Sequence, residues 1–122
     1  MVLVDSSLWI PTLRERGSPV EREMVTGLLR NREAAWCAAV RLELWAGVGE
    51  ARERKRLGEL LEVVVDLPMN QQVWENAIAL ADRGRRAGLT FPYPDLLIFS
   101  CAREHGLQVA HQDKHMDLLA TL

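Results

Sequence analysis

Apolar and polar positions along this chain fall into short blocks whose period switches between strand-like and helix-like. Val2 to Val4 is an apolar run that stops at Asp5, as a buried strand does when it delivers an acid to its C-terminal end. Ser6 and Ser7 are good helix caps and predict a helix through Leu8, Trp9 and Leu13, with Pro11 acceptable if it falls in the first turn. Gly17-Ser18-Pro19 breaks the chain, and Val20 to Leu29 resumes at helical spacing. Ala34 to Ala38 reads as a second strand. Val40, Leu42, Leu44 and Trp45 lie on a following helix, which carries Glu43 and closes at Gly47 and Gly49.

The pattern then repeats. Ala51 to Leu61 is a charged amphipathic helix with Leu57, Leu60 and Leu61 on its apolar side. Val63 to Val65 is β-branched and predicts a third strand, which Pro68 ends. Asn70 caps a long helix with an apolar stripe of Val73, Trp74, Ala77, Leu80 and Ala81, stopped by Gly88. Pro92-Tyr93-Pro94 imposes an extended approach to a helix from about Asp95 to Gly106. Leu107 to Ala110 is the last strand, and Asp113 to Leu119 a short closing helix.

Alternating strands and helices predict an α/β fold: a parallel sheet with helices on both faces, which binds ligands at the carboxyl ends of its strands. The length of 122 residues is that of one domain, and 48% hydrophobic residues suffice for a core. No stretch approaches the length of a membrane span and the N-terminus has no leader-like pattern, so the expected location is the cytoplasm. Cys37 and Cys101 sit in apolar surroundings and read as small buried hydrophobes. The net charge of −2 does not advertise nucleic-acid binding. The basic residues are nearly all arginine, since only Lys55 and Lys114 are lysine. Arginine suits bidentate phosphate contacts, although a high-GC genome enriches it equally well.

Three acids are predicted to reach one rim of such a sheet. Asp5 ends the first strand, Asp95 begins a helix packed on the sheet, and Asp113 follows the last strand. Glu43 lies close enough to face them, on a helix that Leu42, Leu44 and Trp45 mark as mostly buried. Converging carboxylates repel one another, and a hard divalent cation such as Mg²⁺ or Mn²⁺ removes the conflict. Each acid also has a plainer reading. Asp5 can cap a helix, Asp95 can serve the helix dipole, and Asp113 can be a turn residue.

The stretches VLVDSSLWI, VRLELWAG, GLTFPYPDLLIFSCAREHG and HQDKHMDLL resemble, in order and spacing, the four motif regions of PIN-domain ribonucleases. More narrowly they resemble the VapC toxins of toxin–antitoxin pairs, over essentially the whole chain. The resemblance implies a PIN-like three-layer sandwich around a parallel sheet of four or five short strands. It implies a metal-dependent endoribonuclease with Asp5, Glu43, Asp95 and Asp113 holding Mg²⁺ or Mn²⁺, supported by Ser6 or Ser7. Asp117 is a further, peripheral acid. The implied partners are an RNA substrate, a VapB-like antitoxin whose C-terminal tail covers the site, and a second copy of the chain. Two positions depart from the family pattern. His111 stands where Thr or Ser is usual, and Met116 where an aromatic is common.

Other readings of the same residues follow. His111 and His115 form an i, i+4 pair that suggests zinc, but the companion Glu of a zincin is missing. His111 can contact phosphate or fill space, and His105 suits a helix C-terminus. Arg41, Arg85 or Arg86 could hold an RNA backbone. The tryptophans Trp9, Trp36, Trp45 and Trp74 read first as core, and Trp9 and Trp45 alternatively as an exposed groove for the antitoxin. A catalytically silent PIN-like binding module and a receiver-like phospho-signalling domain are the competing classes. A receiver normally adds an acid beside the first-strand Asp, where this chain has serines.

Overall fold

The computed structural model describes residues 1–15 and 18–122. In order these form β1 (Val2–Val4), α1 (Ser6–Arg14), α2 (Pro19–Arg30), β2 (Ala34–Cys37), α3 (Ala38–Gly47), α4 (Ala51–Leu60), β3 (Val65–Leu67), α5 (Gln71–Arg86), α6 (Tyr93–Glu104), β4 (Val109–Ala110) and α7 (Lys114–Leu119). The four strands make one parallel sheet in the order β3-β2-β1-β4. It is the middle layer of the expected α/β three-layer sandwich. Gly17 of the predicted chain break lies outside the described residues, while Ser18 caps α2 and Pro19 opens it.

β1 sits between β2 and β4, and this order places the site. The chain leaves β1 toward β2 on one side and later returns to pair β4 on the other. Sheets of this kind bind ligands beyond the carboxyl ends of the strands where the order reverses, here β1 and β4. Two hydrogen bonds align the rim: Leu3 N–H donates to Gln108 O (3.0 Å) and Asp5 N–H to Ala110 O (2.9 Å).

The central strands β1 and β2 are apolar because they are covered on both faces, whereas the edge strand β3 carries the exposed Asp66. Leu3, Val4, Ala34, Ala35, Trp36 and Cys37 are all buried, and with Leu8, Trp9, Val40, Leu44, Ile98 and Cys101 they form one core. Cys37 and Cys101 are free thiols within it, as their surroundings predict. The α5 stripe is Val73, Ala77, Leu80 and Gly84, at helical spacing, while Trp74 and Ala81 face outward. Asn70 Oδ1 caps that helix by accepting from Val73 N–H (3.1 Å). Gly88 stops it at φ 78, a conformation open to glycine without cost.

Several boundaries differ from expectation for local reasons. The third strand is Val65–Leu67 rather than 63–65, because Val63 and Val64 N–H both bond back to Leu60 O and close the α4 turn. α6 starts at Tyr93, two residues before Asp95, with Pro92 as its cap and Pro94 inside the first turn, where a missing N–H costs nothing. Pro11 is not in the first turn of α1 but in its interior, and the helix still continues to Arg14. The cap of α1 is Asp5, not a serine. Leu42 is 71% exposed, so α3 is buried along Ala39, Val40 and Leu44 only.

Trp9 is fully buried and does not contribute to an exposed groove. Its indole N–H needs a buried acceptor and finds Val4 O at 2.9 Å, and its ring packs on Trp36 at a centroid distance of 5.5 Å. Trp45 is partly covered, with the Arg54 guanidinium 4.6 Å above its ring.

Candidate active site

Asp5 is the last residue before α1 and is 3% exposed. Its Oδ2 accepts from Ser7 N–H (3.2 Å) and from Ser7 Oγ–H (2.6 Å). Its other oxygen, Oδ1, is buried with no hydrogen-bond partner. Ser7 Oγ also accepts from Gln112 N–H at 2.9 Å, which fastens the loop after β4 to the acid after β1. Ser6 turns the other way and donates to Glu43 Oε1 at 2.5 Å. The two serines therefore play distinct parts, one holding Asp5 and one holding Glu43.

Glu43 is half-buried on α3. Burial raises its pKa, the Ser6 hydroxyl opposes that rise, and the charges of Asp5 and Asp113 add to it. Asp95 lies in the first turn of α6 and is 6% exposed. Burial first, then the adjoining Asp113, then the charges of Asp5 and Glu43, push its carboxyl up to about 7. Its Oδ2 is buried and unpartnered. Asp113 caps α7, accepting from His115 N–H at 2.9 Å. Burial would raise its pKa, but that N–H, the shared proton of Asp95 and the two nearby histidines outweigh burial and lower it. The four acids thus stand within electrostatic reach of one another.

They are not evenly spaced. Among the described residues, the set of ligand atoms all within 4.8 Å of one another belongs to Asp95, Asp113 and His115. Asp5 and Glu43 lie outside that set and are joined to the site through the serines. His115 Nδ1 lies 3.2 Å from Asp95 Oδ2 and 3.1 Å from Asp113 Oδ1. Sequence spacing puts His115 only in a zinc-like pair with His111, and that pairing fails. His111 Nδ1 accepts from Asp113 N–H (3.1 Å) and its Nε2 sits 3.6 Å from Asp117 Oδ1. His111 thus braces the backbone of Asp113, and Asp117 is largely exposed at the margin. The signal for His115 was its place two residues after an acid that caps a helix. His105 is likewise structural, with Nε2 2.8 Å from Pro68 O.

Two buried carboxylate oxygens without partners, Asp5 Oδ1 and Asp95 Oδ2, are costly unless a cation meets them. An all-oxygen set with an adjoining imidazole matches the donor preferences of Mg²⁺ and Mn²⁺, so these residues fit a divalent ion. Of the arginines considered for RNA, Arg41 is engaged with Asp66 through two bonds (3.0 and 3.1 Å) and Arg86 with Asp82 at 2.9 Å.

A family model described as PIN domain matches residues 2–122. The chain belongs to the PIN domain family. Among curated proteins, the chain is 29% identical to "VapC ribonuclease Mb1587" of Mycobacterium bovis and, equally, to "Ribonuclease VapC11" of Mycobacterium tuberculosis. Each alignment covers 100% of this chain and 93% of the relative. Among solved structures, VapBC-1 from nontypeable Haemophilus influenzae superposes with a TM-score of 0.75 at 19% identity, over 99% of this chain and 93% of that one. FitAcB from Neisseria gonorrhoeae gives 0.73 at 18% identity, over 100% and 94%. PIN membership sets aside the receiver-like reading. Among the described residues, no helix is long and apolar enough to cross a membrane.

Proposed function

We propose that this PIN domain is a metal-dependent endoribonuclease and the toxin of a VapBC-type pair, with residues 1–122 acting as one unit in the cytoplasm. The observation that carries this reading is the pair of buried, unpartnered oxygens on Asp5 and Asp95 at the rim between β1 and β4. The names of the curated relatives support ribonuclease as the activity. Asp5, Asp95 and Asp113 would hold Mg²⁺ or Mn²⁺, and Glu43 would complete the site. Such an ion supplies Lewis-acid stabilisation of the phosphate and a water of lowered pKa. Glu43, held by Ser6, is placed to orient an attacking water. Ser7 fixes Asp5 and the loop of Asp113 together, so the rim keeps its shape as substrate arrives. An antitoxin tail covering the rim and a homodimer are the partners this reading entails. Trp9 is buried and makes no antitoxin contact in it.

The test uses the chain purified free of partners, incubated with structured RNA and Mg²⁺ or Mn²⁺. Cleavage is expected with metal, and is expected to be lost with EDTA or with Asp95→Asn. Metal binding without cleavage would leave a silent binding module, and a wild type that binds no divalent ion by calorimetry would refute the site.

A further inference from the structure

Resting on the metal site proposed above, we infer that His115 is a nitrogen ligand of the same ion, so that the centre is a mixed carboxylate–imidazole site preferring Mn²⁺ to Mg²⁺. The geometry is specific. Around an ion with donors at ~2.1 Å, adjacent ligands of an octahedron are roughly 3.0 Å apart. His115 Nδ1 stands 3.2 Å from Asp95 Oδ2 and 3.1 Å from Asp113 Oδ1, the separation of two adjacent ligands in such a polyhedron.

Hydrogen bonding within the trio does not account for the arrangement. One Nδ1–H aligned on Asp113 leaves Asp95 without a well-directed donor, and Asp95 Oδ2 has no hydrogen-bond partner although it is nine-tenths buried. A cation in contact with all three atoms satisfies the orphaned oxygen and uses the imidazole lone pair. The proton of the neutral ring then resides on Nε2.

The ring is also held in place as a ligand is. His115 meets Phe91 edge-on, with centroids 6.2 Å apart and an interplanar angle of 80°. Phe91 in turn lies against Gly84, so closely that a Cβ there would sit 2.9 Å from its ring. His111 has its ring nitrogens directed elsewhere and does not compete. An imidazole donor shifts selectivity because Mg²⁺ strongly prefers oxygen, whereas Mn²⁺ and later first-row ions accept nitrogen.

The direct test is pulsed electron paramagnetic resonance of MnCl₂ bound to the full chain without RNA. Nitrogen hyperfine coupling is expected in the wild type and in His111→Asn, and is expected to vanish in His115→Asn. Calorimetry of the same proteins with MnCl₂ and MgCl₂ gives a second readout. His115→Asn is expected to weaken Mn²⁺ by about tenfold or more, and Mg²⁺ distinctly less. A histidine that only positions the carboxylates would weaken both ions alike, and that result overturns the inference. Mn²⁺ that binds the wild type with no nitrogen coupling overturns it too, and leaves the carboxylate site standing. A wild type that binds neither ion overturns both.

Discussion

Replacing Asp95 by asparagine is expected to stabilise the metal-free protein at pH 8 while abolishing its metal-dependent chemistry. An aspartate in the unfolded chain titrates near 3.8, and in the folded chain Asp95 titrates at about 7 because burial and the adjoining Asp113 disfavour its charge. Below pH 4 the carboxyl is protonated in both states and nothing is lost. Between about 4 and 7 the unfolded chain ionises first, so folding stability falls with rising pH. Above 7 the deficit is complete. A separation of about three pH units corresponds to a ceiling of ~4 kcal/mol. The lowered pKa of Asp113, which the asparagine would relax, works in the opposite direction. The net gain for Asp95→Asn at pH 8 is therefore roughly 1–3 kcal/mol, or about 3–10 °C in Tm. Thermal unfolding in EDTA at pH 4, 6 and 8 measures it: the two proteins should melt together at pH 4 and separate progressively. Adding MnCl₂ at pH 8 should raise only the wild type and narrow the gap. A variant less stable than wild type at pH 8, or a difference independent of pH, would refute the reasoning.

Three further substitutions probe the frame around the site. Gly84→Ala gains ~1 kcal/mol of helix propensity but drives a Cβ into Phe91 at 2.9 Å; denaturant titration is expected to show a net loss of about 1 kcal/mol. Trp9→Phe leaves Val4 O without its 2.9 Å donor and opens a small void, so it is expected to cost about 2–3 kcal/mol; an unchanged midpoint would mean that Trp9 is a surface residue after all. Ser7→Ala removes the bridge between Asp5 and Gln112; it is expected to cost only about 1 kcal/mol in stability but to weaken Mn²⁺ binding several-fold by calorimetry.

The strand–helix alternation made the sheet legible, because strands covered on both faces read as short continuous apolar runs while helices keep a period of 3.6. What the pattern could not supply was the competition at element ends. Three consecutive valines are equal in β-propensity, and only the turn closing α4 onto Leu60 decides that Val63 and Val64 are excluded from the strand. Leu42 looked like core because its neighbours are apolar, yet the helical angle turns it outward, while Glu43 faces Ser6. Asp5 and Asp95 were readable as rim acids because a strand end and a helix start each fix a direction. His115 was not, since its orientation depends on how Asp113 caps a six-residue helix and on the distant Phe91.

The plain reading of an acid does not exclude the proposed one. Asp5 caps α1 as expected, and Asp113, expected as a turn residue, caps α7. A carboxylate has two oxygens, however, and capping needs one. In Asp5 the cap and the Ser7 hydroxyl take Oδ2, which fixes the side chain and leaves Oδ1 buried and unmet. An unconstrained aspartate would turn that oxygen toward water. The cap opposes it, so the interaction that starts the helix also keeps a bare oxygen buried beside the end of β1. Asp95 reaches a similar condition from the first turn of α6, where its buried Oδ2 has no hydrogen-bond partner and only the His115 ring beside it. Local structure therefore pre-orients the charge, and the electrostatic cost recorded in the raised pKa of Asp95 is the counterpart of that pre-orientation.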